Sequence, residues 1–218
     1  MTVIVSILSD SLGLPRGGAQ PSARRQTWPA LVTHGAEIDD VLHIGIGGAT
    51  VTQLAGQLSY ALASSPAVLV VQCGIVDCAP RALRLWERTA LQHMPGGRRL
   101  SRIIEKRARG LRRIRDIAFT APEVFRRTCA SVVDRADATQ VLWIGIVDAG
   151  DEAQVPGIRA RIRAYNDILR ATVAHRFVDV SSMPAEGVCA DHHHLTPVGH
   201  AFVADVVLAR ISALKSSA

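Results

Sequence analysis

Short apolar runs, rich in β-branched residues, punctuate the chain: VIVSIL from Val3, DVLHIG from Asp40, VLVVQC from Val68, QVLWIGI from Gln140 and RFVDV from Arg176. They are nearly continuous rather than alternating, the pattern of strands covered on both faces in a parallel sheet. Between them apolar residues recur at helical spacing over about residues 50–64, 81–94, 98–118, 122–136 and 157–175, and a last helix runs from Pro197 to Leu214. In 157–175 the positions Ile158, Ile162, Tyr165, Ile168, Leu169 and Thr172 make one stripe, and Gly157 after Pro156 marks its start. Strand and helix alternate throughout, which predicts an α/β fold with an open parallel sheet. Ligands in such sheets bind at the carboxyl ends of the strands. Those ends carry Ser9, Asp10 and Ser11, then Gly45, Gly47 and Gly48, then Gly74, Asp77 and Arg81, then Asp148, and a final polar cluster CADHHHLTPVGH precedes the last helix.

Composition narrows the class. A chain of 218 residues, 48% hydrophobic and 20% charged, is long enough to bury one sizeable core, and no repeat or low-complexity linker divides it. A single domain over 1–218 is expected. There is no run of eighteen apolar residues and no basic n-region ahead of the first strand, so the expectation is a cytoplasmic protein with no membrane partner. Cys73, Cys78, Cys129 and Cys189 match no compact zinc pattern and read as free buried thiols. The net charge of +6 comes largely from arginines between Arg98 and Arg127. The apolar residues of that stretch, Leu100, Ile103, Ile104, Leu111, Ile114 and Ile117, put the arginines on the opposite face of an amphipathic helix. No aromatic residues interleave with them, so a nucleic-acid partner is not expected; the face reads as solvated, with contact to an anionic substrate or another acidic partner as the alternative.

The strand ends carry the chemistry. A serine at a strand-to-helix turn exposes its hydroxyl at the sheet edge, with its own N–H near a helix N-terminus. Ser11 is so placed. An alcohol attacks a carbonyl poorly at neutral pH unless a base takes its proton, and the spacing Asp191-x-x-His194 lets a carboxylate orient an imidazole within one turn. His192 and His193 with Asp191 and His200 also suggest a metal, but adjacent histidines rarely point at one ion, and no metal is expected. His192 and His193 are read as loop residues or substrate contacts, and His200 as a packing or hydrogen-bonding residue. Asp10, beside the serine, is expected to fix the turn through backbone hydrogen bonds.

These blocks, in this order, resemble the SGNH hydrolases. ILSDSLG is similar to that family's GDSL block, with Ser9 standing where the family usually has glycine and Ser11 at the nucleophile. TWPALV followed by VLHIGIGGAT resembles the second block and places Gly48 at the glycine whose N–H helps form the oxyanion hole. AYNDILR, at Tyr165 and Asn166, looks like a family helix before the final strand. DHHHLTPVGHAFVADVV resembles the last block, placing the triad carboxylate at Asp191 and the base at His194. The third block departs from the pattern: CGIVDCAPR puts Val76 where the family has the oxyanion-hole asparagine, and an apolar side chain donates no hydrogen bond. Losing one such donor costs about 2.7–4 kcal/mol of transition-state stabilisation in a protease where it was removed.

The resemblance implies a flavodoxin-like three-layer α/β/α sandwich with a five-stranded parallel sheet, carrying a helical, arginine-rich insertion at about 82–138. It implies a serine esterase with Ser11, His194 and Asp191 as catalytic residues, Ser11 and Gly48 as the oxyanion hole, and no cofactor. The expected substrate is a short-chain, O-acetyl-type ester of a carbohydrate or small molecule. An acyltransferase using the same triad, or a binding protein of weakened catalysis, are the alternatives. Asp77, Arg81, Asp10 and His193 are expected as substrate contacts, with Arg81, alone or paired with Asp77, replacing the missing donor or holding a substrate anion.

Overall fold

The computed structural model of the protein describes residues 3–216. The apolar runs form one sheet of β1 (Val3–Ser9), β2 (Ile38–Gly45), β3 (Val68–Gln72), β4 (Gln140–Ile144) and β5 (Phe177–Val178), in the order β2-β1-β3-β4-β5. Every pairing is parallel. Because β1 sits between β2 and β3, the chain winds away from it in both directions and leaves a crevice at the carboxyl ends of the strands.

The connections hold α1 (Trp28–Val32), α2 (Val51–Ala55), α3 (Leu58–Leu62), α4 (Ile75–Cys78), α5 (Leu85–His93), α6 (Gly97–Lys106), α7 (Ala108–Arg115), α8 (Pro122–Arg135), α9 (Ile158–Val173) and α10 (Pro197–Ser216). Strand side chains alternate between two cores. Leu69 and Val71 of β3 join Leu54, Leu58, Phe125 and Tyr165 from α2, α3, α8 and α9. Val68 and Val70 point the other way, to Trp28 and Val32 of α1 and Val203 and Val207 of α10. The result is the three-layer α/β/α sandwich, and burial on both faces is why the strands read as unbroken apolar runs. By length and composition α10 would also suffice to cross a bilayer, yet Val203, Val207 and Ile211 are buried against the sheet. All four cysteines are free and buried.

Two helical expectations change. The 50–64 stretch is two short helices, α2 and α3, interrupted at Gly56 and Gln57, where glycine is a poor helix former. The 98–118 stretch breaks at Arg107, whose φ of −106° and ψ of 5° leave the helical region. Its apolar stripe is not part of the core, since Leu100, Ile103 and Ile114 are 41%, 46% and 82% exposed. A helix without a packed face has little to hold it in one piece. Along α5, α6 and α7 the buried residues are Leu91 and Gly97, whereas α8 sends Phe125, Cys129 and Val132 into the core.

Candidate active site

The turn after β1 is closed by Asp10, whose Oδ1 accepts the Leu12 N–H at 2.9 Å and caps a single 3-10 turn over Ser11–Gly13. Ser9 lies below it, fully buried, with its Oγ 2.8 Å from His43 Nε2 on β2. The extra hydroxyl fits because position 13 is glycine, where a Cβ would stand 2.2 Å from Ser9 Oγ. Burial pushes His43 down to about 4, so this imidazole is neutral at physiological pH. Ser11 itself is half-buried and lines a cleft of about 580 Å³ at the carboxyl ends of the strands. The same cleft is lined by Gly48 after β2, Val76 and Arg81 after β3, and the 191–194 loop before α10.

That loop is fixed from both ends. The Cys189 N–H donates to the His194 carbonyl at 2.8 Å. Asp191 Oδ1 accepts the His194 N–H at 3.0 Å, and its Oδ2 meets His194 Nδ1 at 2.8 Å. The imidazole is thereby held with Nδ1 on the carboxylate and Nε2 free. Arg16, from the loop after Ser11, pairs with the same Asp191 Oδ2. Burial works to raise the Asp191 carboxyl, but the hydrogen bonds from His194 and His193 outweigh it and hold it well below the usual carboxylate range. Burial lowers His194 below its ordinary 6.5, against the opposing pull of Asp191, and the Arg16 charge adds to the lowering. A base must be neutral to accept a proton, so the acid limb of kcat/KM for an ester is expected below pH 6.5. In Arg16→Gln that limb should move to higher pH, and a pH–rate profile in which it stays fixed or moves down would refute this role for Arg16.

The N–H groups of Ser11 and Gly48 are among those of the cleft lining that face no acceptor among the described residues. Gly48 has φ of +70°, a conformation that other residues adopt only under strain. Both residues line the cleft, which suits them to a developing oxyanion. Val76 adds no side-chain donor, and its carbonyl accepts from Arg81 Nη2 at 3.0 Å.

The expected substrate contacts divide. His193 is exposed in the cleft, with Nδ1 2.8 Å from the Asp191 carbonyl and its ring against that of His194. Arg81 also lines the cleft, its guanidinium stacked 4.3 Å above the centre of the Phe119 ring. Asp10 and Asp77, however, are fully buried and do not reach it. Asp77 accepts the Val51 N–H at 3.0 Å and the Thr120 hydroxyl at 2.5 Å, which ties the start of α2, just beyond Gly48, to α4. It forms no ion pair with Arg81; its charge is spent inside the fold. Burial raises Asp10 to about 7 and Asp77 to about 6. His200 packs and hydrogen-bonds as expected, buried and accepting the Trp28 N–H at 3.2 Å. Asn166 brackets Ile146, just beyond β4, accepting its N–H and donating to its carbonyl, both at 2.8 Å.

Asp191, His193 and His194 each bring a potential metal-ligand atom within 4.8 Å of the others. An ion there would compete for the carboxylate that orients His194. Sequence reasoning missed Arg16, Arg88 and Arg112. Arg16 follows the Ser11 turn within the same loop, which was its only signal, whereas Arg88 and Arg112 reach the cleft from α5 and α7, and Arg112 was marked only as part of the arginine-rich stretch.

Comparison with known proteins identifies the family and the fold. The model of the GDSL-like lipase/acylhydrolase family matches residues 10–202. A search of curated proteins finds no match. Among solved structures, a lipase/acylhydrolase from Enterococcus faecalis is similar at a TM-score of 0.66 and 17% identity, over 97% of this chain and 95% of that one. An acetylxylan esterase from Geobacillus stearothermophilus is similar at 0.62 and 16%, over 96% and 94%. A further acetyl xylan esterase gives 0.63 and 16%, over 96% and 100%. At these identities the structures speak for the fold.

Proposed function

The chain belongs to the GDSL-like lipase/acylhydrolase family and is a carboxylic ester hydrolase, and on that premise we propose that it is a serine esterase with Ser11 as nucleophile, His194 as general base and Asp191 as its orienter. Ser11 Oγ adds to the ester carbonyl as its proton passes to His194 Nε2. Collapse of the tetrahedral intermediate expels the alcohol, which leaves with that proton. Water, deprotonated by the same imidazole, then adds to the acyl-enzyme and releases the acid and Ser11. The Ser11 and Gly48 N–H groups would hold the oxyanion in both halves of the reaction.

The observation that carries the reading is one cleft shared by a hydroxyl at a strand end, an imidazole tied at 2.8 Å to a carboxylate, and two N–H groups without acceptors. Short-chain esters, such as O-acetyl groups of a carbohydrate or small natural product, are the proposed substrates; two of the similar structures are acetylxylan esterases. Exposure of His192 and His193 at the cleft favours hydrolysis over transfer to another alcohol, because water has access to the acyl-enzyme. Labelling with a serine-directed fluorophosphonate tests the assignment. Mass spectrometry is expected to locate the adduct on Ser11 and to find none in His194→Ala. Folded protein that takes up no label would overturn the reading in favour of a binding protein.

A further inference from the structure

Three arginines converge on the cleft from separate elements: Arg81 after β3, Arg88 on α5 and Arg112 on α7. Neighbouring arginines are neutralised, Arg115 by Glu87 and Arg161 by Asp116. Arg81, Arg88 and Arg112 have no carboxylate partner among the described residues. Two of them are nonetheless held in place by uncharged groups. Arg81 stacks on Phe119 and donates to the Val76 carbonyl, and Arg112 Nη1 donates to the Gln154 carbonyl at 2.8 Å. Such contacts orient a guanidinium without cancelling its charge.

The carboxylates of the lining do not answer them. Asp191 is committed to His194 and Arg16, and Asp151 accepts the Ala153 N–H at 2.7 Å through its Oδ1 and pairs with no arginine. Burial pushes Arg81 below its ordinary value, and the charges of Arg112 and Arg88 add to the lowering. Concentrating cations in a partly desolvated cleft is unfavourable unless a counter-charge arrives with the ligand. A guanidinium held by its ring stack offers the planar fork that suits a carboxylate or phosphate.

We propose that the cleft selects esters bearing an oxyanionic group, a carboxylate or a phosphate, which Arg81, Arg88 and Arg112 bind while Ser11 attacks the ester carbonyl. This rests on the serine-esterase reading and adds a substrate class to it. The anion would also supply binding energy in a site whose oxyanion hole lacks a side-chain donor at Val76.

The test compares kcat/KM for phenyl acetate with that for 4-acetoxybenzoate, whose carboxylate is on the alcohol side, for 4-acetoxyphenyl phosphate, its phosphate counterpart, and for monophenyl succinate, whose carboxylate is on the acyl side. At least one anionic ester is expected to exceed phenyl acetate tenfold or more, with the preference shrinking as salt is added. In Arg88→Ala/Arg112→Ala the ratio should fall towards one, and the corresponding double lysine variant should keep part of it. Which ester wins identifies both the anion and the end of the substrate that the arginines hold. Equal rates in the native protein, or a preference that survives the double alanine variant, would overturn the proposal. If fluorophosphonate still labels Ser11 in that case, the serine-esterase reading stands. Should no ester turn over, calorimetry of Ser11→Ala with phenylphosphonate and benzoate decides. Binding that disappears in the Arg88→Ala/Arg112→Ala background supports the anion site, and no binding overturns it.

Discussion

Asp191→Asn is expected to lower kcat for an ester by roughly four orders of magnitude, the scale set by the equivalent change in a serine protease, while the protein remains folded. An asparagine Oδ1 can still accept the His194 N–H, so the loop keeps its shape. Its amide, however, donates to Nδ1 and leaves the proton on Nε2, the tautomer that cannot take the Ser11 proton. Arg16 then faces a neutral side chain, and its charge opposes the imidazolium that catalysis requires. Steady-state kinetics beside a thermal melt separate the two effects. A variant that melts normally and keeps activity within tenfold of the parent would show that Asp191 does not set the tautomer.

Asp10→Asn is expected to stabilise the protein at alkaline pH. Asp10 is fully buried and raised from 3.8 to about 7. The folded state therefore holds a proton that the unfolded state releases, and this contribution is full below pH 3.8 and lost as pH rises to about 7. Between pH 5 and pH 8 the loss from this group is about 3 kcal/mol. Asparagine keeps the Oδ1 acceptor for the Leu12 N–H and has nothing to ionise. Its amide also suits the neighbouring Gln72 side chain, whose interaction with Asp10 works to lower the carboxyl. His43 and His200, both lowered to about 4, act in the opposite sense, adding stability as pH rises from 4 to 6.5. The parent curve is therefore flattened, and the difference between parent and variant isolates Asp10. Urea denaturation of both proteins at pH 5 and pH 8 gives that difference; if it does not change with pH, Asp10 is already ionised in the native fold.

The strands, the layer order and the Ser11 and Asp191–His194 blocks were legible because each depends on residues close in sequence. Apolar runs report burial directly, and an Asp-x-x-His pair closes within one turn. What the sequence hid was the direction of polar side chains at strand ends. Asp77 follows Val76, and spacing cannot tell that one side chain lines the cleft while the other turns inward to the Val51 N–H. Asp10 was read both as a turn residue and as a substrate contact; its complete burial leaves only the first. Arg88 and Arg112 could not be singled out for another reason, since a charged helix face looks alike whether it meets water or overhangs a cleft. Their convergence depends on how α5 to α7 fold back over the sheet edge.

The contrast between the sheet and α5–α7 has an evolutionary consequence. With Leu91 and Gly97 as its buried residues, this segment can open locally at a fraction of the free energy of global unfolding. Substitutions along it disturb the hydrophobic layers little. The side chains proposed to choose the substrate thus stand on a different support from those proposed to cleave it. A lineage built this way can drift in what it accepts, through changes at positions such as 88 and 112, without endangering the core that keeps the reaction centre assembled.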